Sequence, residues 1–381
     1  MTYVWVMGFI RPMRLLSVLA LITTTAVLTA QDFDFKGVPA DYAITFASSS
    51  THSLKLYDSP EGKAFKALVK ERMTAKTGAG AKSSLETQEA FKAATGIDPE
   101  SNDIRYAGGF SMNAAGQFTG GLIIRIAHDS RKLAAFATEK KLPSLQAGAF
   151  KGWDGKELLS SVSPEVATAV KMFPVGAKSD STNSEPVGVF DIDTNTLVIA
   201  QPKEAAHLIA ALKGEIPSYV HPSALTPKFA ATGRAHVLLS VNGSQLPASF
   251  ETTKNGFVTG LLAIGENNTD IVTELSASFA SKEQTDKFAK QAQGVMAFLP
   301  MMIAVDPAKP QTAEDKATKE FLGDIISGVQ PLEVADNQVA VTLKWDAKKY
   351  FSMLEKSLAL GETMQAKVAK NANSVPPPAK K

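Results

Sequence analysis

The stretch VGVFDIDTNTLVIAQPKEAAHLIAALK, Val187 to Lys213, has a counterpart in VQPLEVADNQVAVTLKWDAKKYFSMLE, Val329 to Glu355. At a constant offset of 142, with no gap, Val187 matches Val329, Phe190 matches Leu332, Asp191 matches Glu333 and Ile192 matches Val334. The match continues through Asn195 and Asn337, Leu197 and Val339, Ile199 and Val341, and Glu204 and Asp346. It closes on Ala205 and Ala347, Leu208 and Tyr350, Ile209 and Phe351, and Leu212 and Leu354. Alternation at 197/199 and 339/341 predicts strands, because side chains one residue apart point to opposite faces. Apolar residues at i, i+3, i+4 and i+7 from Ala205 and from Ala347 predict helices. Asn195 and Asn337 fall at the turn, where Asn tolerates positive φ. Glu204 and Asp346 fall in the first helical turn, facing the positive end of the dipole. Each copy therefore reads as strand, tight turn, strand, helix.

Upstream, the rhythm repeats more loosely. Strands are predicted at 41–47, 103–113 and 118–127 in the first half, and at 235–242, 256–264 and 271–280 in the second. Helices follow at 129–140 and 281–299, the latter opened by Ser281 and Gln284 as a capping box. A helix at 164–173, with Ser163 as cap and Pro164 at its first position, corresponds to one capped near Thr312. Two helices, 61–73 and 85–95, are inserted in the first half, where the second has only a short segment near 244–250. The expected fold is α+β, in two similar halves. Each half is a largely antiparallel or mixed sheet of about five strands with helices on one face.

The hairpin Asp193-Thr194-Asn195-Thr196-Leu197-Val198-Ile199-Ala200, followed by the alanine-rich Pro202 to Leu212, resembles a group of uncharacterised exported bacterial proteins. Those share a D-x-x-T-L-V-[IL]-[AG] hairpin ahead of such a helix. The resemblance implies no known activity and no site residues.

Residues 1–30 read as a signal peptide. Arg11 and Arg14 precede the uncharged stretch Leu15 to Leu28, and Ala26 and Ala30 offer cleavage points. The stretch is shorter than the about 20 apolar residues of a membrane span, so cleavage is expected over an uncleaved anchor. Met13 would start a more compact signal than Met1. The mature chain is expected in the periplasm or outside the cell. Residues 31–213 form the first half and 228–365 the second. Residues 214–227 (GEIPSYVHPSALTP) form a proline-punctuated linker, and 366–381 a basic, disordered tail ending SVPPPAKK.

The 381-residue chain has 44% hydrophobic and 20% charged residues, enough apolar material for a sizeable core. It has no cysteine, which excludes disulfides, thiolate metal sites, a cysteine nucleophile and a lipid-modified N-terminal cysteine. The net charge of +2 averages a cationic signal, a mildly acidic body and a lysine-bearing tail. It gives no basis for nucleic-acid binding.

Sequences that mimic known chemistry fail on spacing. Gly78-Ala79-Gly80-Ala81-Lys82-Ser83-Ser84 lacks the adjacent Gly-Lys and the preceding strand of a phosphate loop. Asp191-Ile192-Asp193-Thr194-Asn195 begins like a calcium loop, but Thr196 and Pro202 stand where Gly and Glu are required. His52, His128, His207, His221 and His236 form no pair at ligand spacing. Asp129 reads as a helix N-cap beside His128, and His207, aligned with Lys349, as a surface residue. No serine-hydrolase, penicillin-recognising or zincin motif occurs. No catalytic, cofactor-binding or metal-binding residue is therefore assigned. The most apolar segment of the mature chain, Val295 to Val305 (VMAFLPMMIAV), reads as a buried helix end that Pro300 stops or kinks. Its other reading is a Met-rich surface for an apolar ligand. The sequence thus points to an exported, non-enzymatic binding or structural protein of the cell envelope. Its partner would be an envelope component or another protein, held between the halves. The alternatives are an envelope-polymer hydrolase with convergent carboxylates and an apolar-ligand carrier.

Overall fold

In the computed structural model, the described residues are 33–49, 55–77, 84–98, 104–112, 118–155, 158, 186–221, 227, 234–247, 256–267, 269–303 and 312–374. The signal segment, helix 164–173, the loop 74–84 beyond Thr77 up to Ser83, and His52 lie outside them.

Among the described residues, twelve strands form one sheet. They are β1 (Ile44–Ser49), β2 (Arg105–Met112), β3 (Phe118–Arg125), β4 (Ser144–Ala147), β5 (Phe150–Asp154), β6 (Gly188–Asp193), β7 (Thr196–Ala200), β8 (Arg234–Asn242), β9 (Phe257–Glu266), β10 (Asp270–Phe279), β11 (Glu333–Ala335) and β12 (Gln338–Asp346). Their order across the sheet is β11-β12-β10-β9-β8-β1-β2-β3-β7-β6-β5-β4. All the pairings are antiparallel. Seven α-helices are described: α1 (Pro60–Thr77), α2 (Ser84–Thr95), α3 (Ser130–Glu139), α4 (Pro202–Leu212), α5 (Lys282–Ile303), α6 (Ala313–Ser327) and α7 (Ala347–Ser374). The protein is thus α+β, built on one large antiparallel sheet.

Within the described residues, the expected strands and helices form, with shifted ends. The β4–β5 hairpin was not expected. Its signal was Gly148, which takes φ +59 between two short alternating runs. The turns differ from expectation in detail. In the first hairpin Asp193 accepts from the backbone N–H of Asn195 at 2.8 Å, an Asx turn without positive φ. In the second, Asp336 rather than Asn337 takes the left-handed conformation, at φ +46. Pro300 does not stop α5, which runs on to Ile303. Likewise α7 continues to Ser374, so the first residues of the expected tail are helical. Ala366, Lys367, Ala369 and Lys370 there are good helix formers, and the prolines begin only at Pro376.

Register assigns every strand residue to a face. Tyr106, Leu122, Ile124, Leu197, Ile199 and Val189 share one face, under Phe91 of α2 and Leu133 and Phe136 of α3. Further along that face, Ile271 and Trp345 lie beneath Tyr350 and Phe351 of α7 and Phe65 of α1. Phe279 and Val339 lie beneath Ala289 of α5. The opposite face carries Ile123, Val198, Ala200 and Phe190 against Ala205, Leu208 and Ile209 of α4. Among the described helices, α4 therefore stands apart from its sequence counterpart α7, on the other side of the sheet. The described helices within residues 31–213 occupy both faces of the sheet, not the one face expected. Side-chain size accounts for the difference. Gly121 opens room for Leu208, since a Cβ there would stand 2.7 Å from that side chain. The bulky Tyr350 and Phe351 instead join an aromatic cluster with Tyr57 and Phe65.

The junction between the strand sets is a strand pair. β1 and β8 pair from Ile44↔Val241 to Ser48↔Val237. Thr45, Phe46, Ala47, Ser48, Val237, Leu238 and Ser240 there are all buried. The expected cleft between halves is occupied by this pairing. Residues 218–219 of the linker stretch pack back on the amino-terminal segment, where Tyr219 donates to Ser240 Oγ at 2.7 Å.

Candidate functional site

Polar chemistry in the described structure is distributed over separate histidine–carboxylate pairs. His128 follows β3 and precedes Asp129, which caps α3 by accepting from the backbone N–H groups of Arg131 and Lys132. The cap assignment from sequence holds. The His128 side chain is fully buried; Nδ1 lies 3.0 Å from the Ile126 carbonyl and Nε2 3.0 Å from Asp191 Oδ1. Burial alone would push this imidazole down. The Asp191 and Ile126 hydrogen bonds and the charges of Asp191 and Asp193 outweigh it and hold His128 above its usual value. Asp191 and Asp193, the calcium-loop mimics, are thus used by a histidine and by a turn.

His236 sits in a bulge of β8, between the paired Ala235 and Val237. The bulge brings Nε2 to 3.8 Å from Glu266 Oε1. Glu266 is buried and accepts from the backbone N–H groups of Lys55 and Leu56 at 3.1 and 3.2 Å. It thereby ties down the 3₁₀ turn Lys55–Asp58. Sequence reading missed this pair, since a bulge leaves no spacing signal. His207 pairs at the surface with Asp41, beside Glu204, which accepts from the Tyr42 hydroxyl at 3.2 Å. Burial above all, and then the neighbouring Glu204 carboxylate, push the Tyr42 hydroxyl strongly up. His221 stacks on Phe35 at 6.2 Å. Each of His128, His207 and His236 has a different carboxylate. Among the described residues no group of three or more His, Asp or Glu is arranged to hold a metal ion.

The apolar surface is more concentrated. Among the described residues, the exposed large hydrophobic side chains are Val220 and six that fall between Val258 and Val334. Three belong to α5: Phe288 at 39% exposure, Val295 at 51% and Phe298 at 61%. On a helix of 3.6 residues per turn, these three project along one strip. That strip adjoins the inward line of Thr285 and Ala289. Phe288 also touches Phe279 of β10, ring centroids 4.9 Å apart. On the sheet face that carries α5, Leu275 is 46% exposed. The expectation of a fully buried helix end at 295–305 is therefore not met at Val295 and Phe298. The inward face of α5 is narrow, so one helix packed on three strands leaves its second apolar strip in solvent. No helix among the described residues is long and apolar enough to cross a membrane.

No protein-family model and no curated protein matches the chain. Crystal form I of TP0453 aligns over 86% of this chain and 98% of its own, with TM-score 0.35 and 10% identity. Crystal form III covers 86% and 99%, with TM-score 0.38 and 8% identity.

Proposed function

We propose that this chain is an exported, non-enzymatic protein of the cell envelope that works by binding a hydrophobic partner, with the solvent-facing strip of α5 as its contact surface. The observation that carries the reading is the exposure of Phe288, Val295 and Phe298 on one helix. Exposed apolar clusters of this kind mark interaction sites more often than isolated residues do. Two carboxylates beside buried histidines, the buried Glu266 and the half-buried Asp191, support it from the other side. Glu266 holds a backbone turn and Asp191 holds His128, so both serve the fold. Export rests on the Arg11/Arg14 segment and its apolar stretch, and places the mature protein in the periplasm or outside the cell.

Duplication is part of the same proposal. The strand sets β1-β2-β3-β7-β6 and β8-β9-β10-β12-β11 run outward from the central β1–β8 pair in corresponding order. This supports descent of both from one unit, whose final helix then took opposite faces.

A photo-crosslinking residue at position 298 of the mature protein, expressed in its native envelope, tests the binding reading. One discrete adduct is expected, absent when the residue is placed at Lys319 and lost in the Phe288→Ser/Val295→Ser variant. Equal labelling from positions 298 and 319 would sink it. Amino-terminal sequencing should find a start after Ala26 or Ala30, and retention of the full chain in the cytoplasm would refute export.

A further inference from the structure

We propose that the β3–α3 junction is a pH-operated staple, in which the imidazolium of His128 pins the β6–β7 hairpin to the start of α3 and releases it on deprotonation. The geometry carries the inference. Both ring nitrogens face acceptors that have no proton to give: the Ile126 carbonyl and the Asp191 carboxylate, each at 3.0 Å. A neutral imidazole has one N–H and satisfies one of them; the imidazolium satisfies both. With the side chain fully buried, the unmatched nitrogen is out of reach of bulk solvent, which makes leaving it unpaired costly.

The same few residues also join three elements through the backbone. The N–H of Ile126 donates to Asn195 O at 2.9 Å, and that of His128 to Thr194 O at 3.0 Å. Asp129, the next residue, caps α3 and lies against Gly96 at the end of α2, where a Cβ would stand 2.8 Å from the Asp129 nitrogen. Loss of the ring contact therefore loosens a hairpin, a helix start and a helix end together. The charges that act on the ring lie on the hairpin, while those on the two neighbouring segments are engaged elsewhere. The hairpin presents Asp191 and Asp193. The ring's own segment presents Asp129, whose carboxylate is engaged by the Arg131 and Lys132 backbone. The end of α2 presents Asp98, paired with Lys92. Acidic groups nearest the ring favour its charged form.

The sign follows from the upward shift of His128. The staple is complete below the unfolded histidine value near 6.5 and is lost as pH rises through the higher folded value. Between the two values the local opening equilibrium should rise up to tenfold per pH unit, and be flat on either side.

The test uses the mature protein, following the His128 ring and the amides of Ile126 and His128 by NMR and hydrogen exchange from about pH 5.5 to 9, with rates corrected for intrinsic base catalysis. Expected is a His128 midpoint above about 6.5, tracked by opening of those amides. Asp191→Asn should move both to lower pH, His128→Gln should abolish the pH dependence of opening, and His207→Gln should change neither. A wild-type junction whose opening is flat across this range, or a pH dependence that survives His128→Gln, overturns the proposal. If His128→Gln does not fold, Asp191→Asn decides: an unmoved midpoint overturns it.

Discussion

Trp345 concentrates several interactions in one side chain. Its ring packs with Ile271, Tyr350 and Phe351 in the core beneath α7. Its indole N–H donates to the Asp324 carbonyl near the end of α6, at 3.1 Å. Trp345→Ala should cost about 3–5 kcal/mol by urea denaturation, since a large buried ring leaves a cavity. Trp345→Phe, which keeps most of the packing, should cost far less. Gly121 is the opposite case, a residue chosen for what it lacks. A Cβ there would stand 2.6 Å from that of Ala200 and 2.7 Å from Leu208. Gly121→Val should destabilise by about 1–3 kcal/mol or more through overpacking, read as a lower midpoint in the same titration. Tyr106 and Tyr350 are pushed up to about 12 by burial. Neither should ionise in a spectroscopic titration below the pH at which the protein unfolds.

At the scale of the element, α5 and α6 make contrasting predictions. The capping box of α6 is complete: Thr312 Oγ accepts from the Asp315 N–H, and the Asp315 carboxylate accepts from the Thr312 N–H. Thr312→Ala should cost about 1 kcal/mol. The Thr312 hydroxyl, which donates to the same carboxylate at 2.7 Å, and the Thr312 N–H together hold the Asp315 carboxyl below its usual range. The stability they lend is present above the unfolded carboxylate value and is lost as pH falls through the folded one. For α5, Phe298→Ser should leave the urea midpoint nearly unchanged, within about 0.5 kcal/mol, because the side chain faces solvent. On the proposed reading it should nevertheless weaken crosslinking from a photo-reactive residue placed at position 295. Both helices were readable as helices from their apolar period and caps. Which of their strips would be covered was not, because coverage depends on how far β10, β12 and β11 extend beneath them.

At the scale of the whole molecule, one sheet and several crossing contacts bind the strand sets together. Leu56, Tyr57 and Phe65, early in the chain, pack with Ile271, Tyr350 and Phe351, late in it. Glu266 holds the backbone of Lys55 and Leu56. Unfolding of the mature protein should therefore be a single cooperative transition, coincident by near-UV and far-UV circular dichroism. Fragments 31–213 and 228–365 expressed apart should each show lost tertiary signal, and two separable transitions in the intact chain would contradict this. The joining strand β1 becomes an exposed edge in the first fragment and β8 in the second, which should make both prone to association.

Local periodicity alone determined much of this protein: the alternation at Leu197/Ile199 and Val339/Val341, the helical spacing at Ala205–Leu212 and Ala347–Leu354, and the caps at Asp129 and Thr312. These are interactions between residues a few positions apart, so a linear reading contains them. The tertiary structure decided the rest. It set α4 and α7 on opposite faces, joined β1 to β8, brought Glu266 to Lys55 and His128 to Asp191, and left one strip of α5 in water. Those outcomes depend on volumes and polar groups that meet only when distant segments are packed, where Gly121 admits Leu208 and an aromatic cluster admits Phe351.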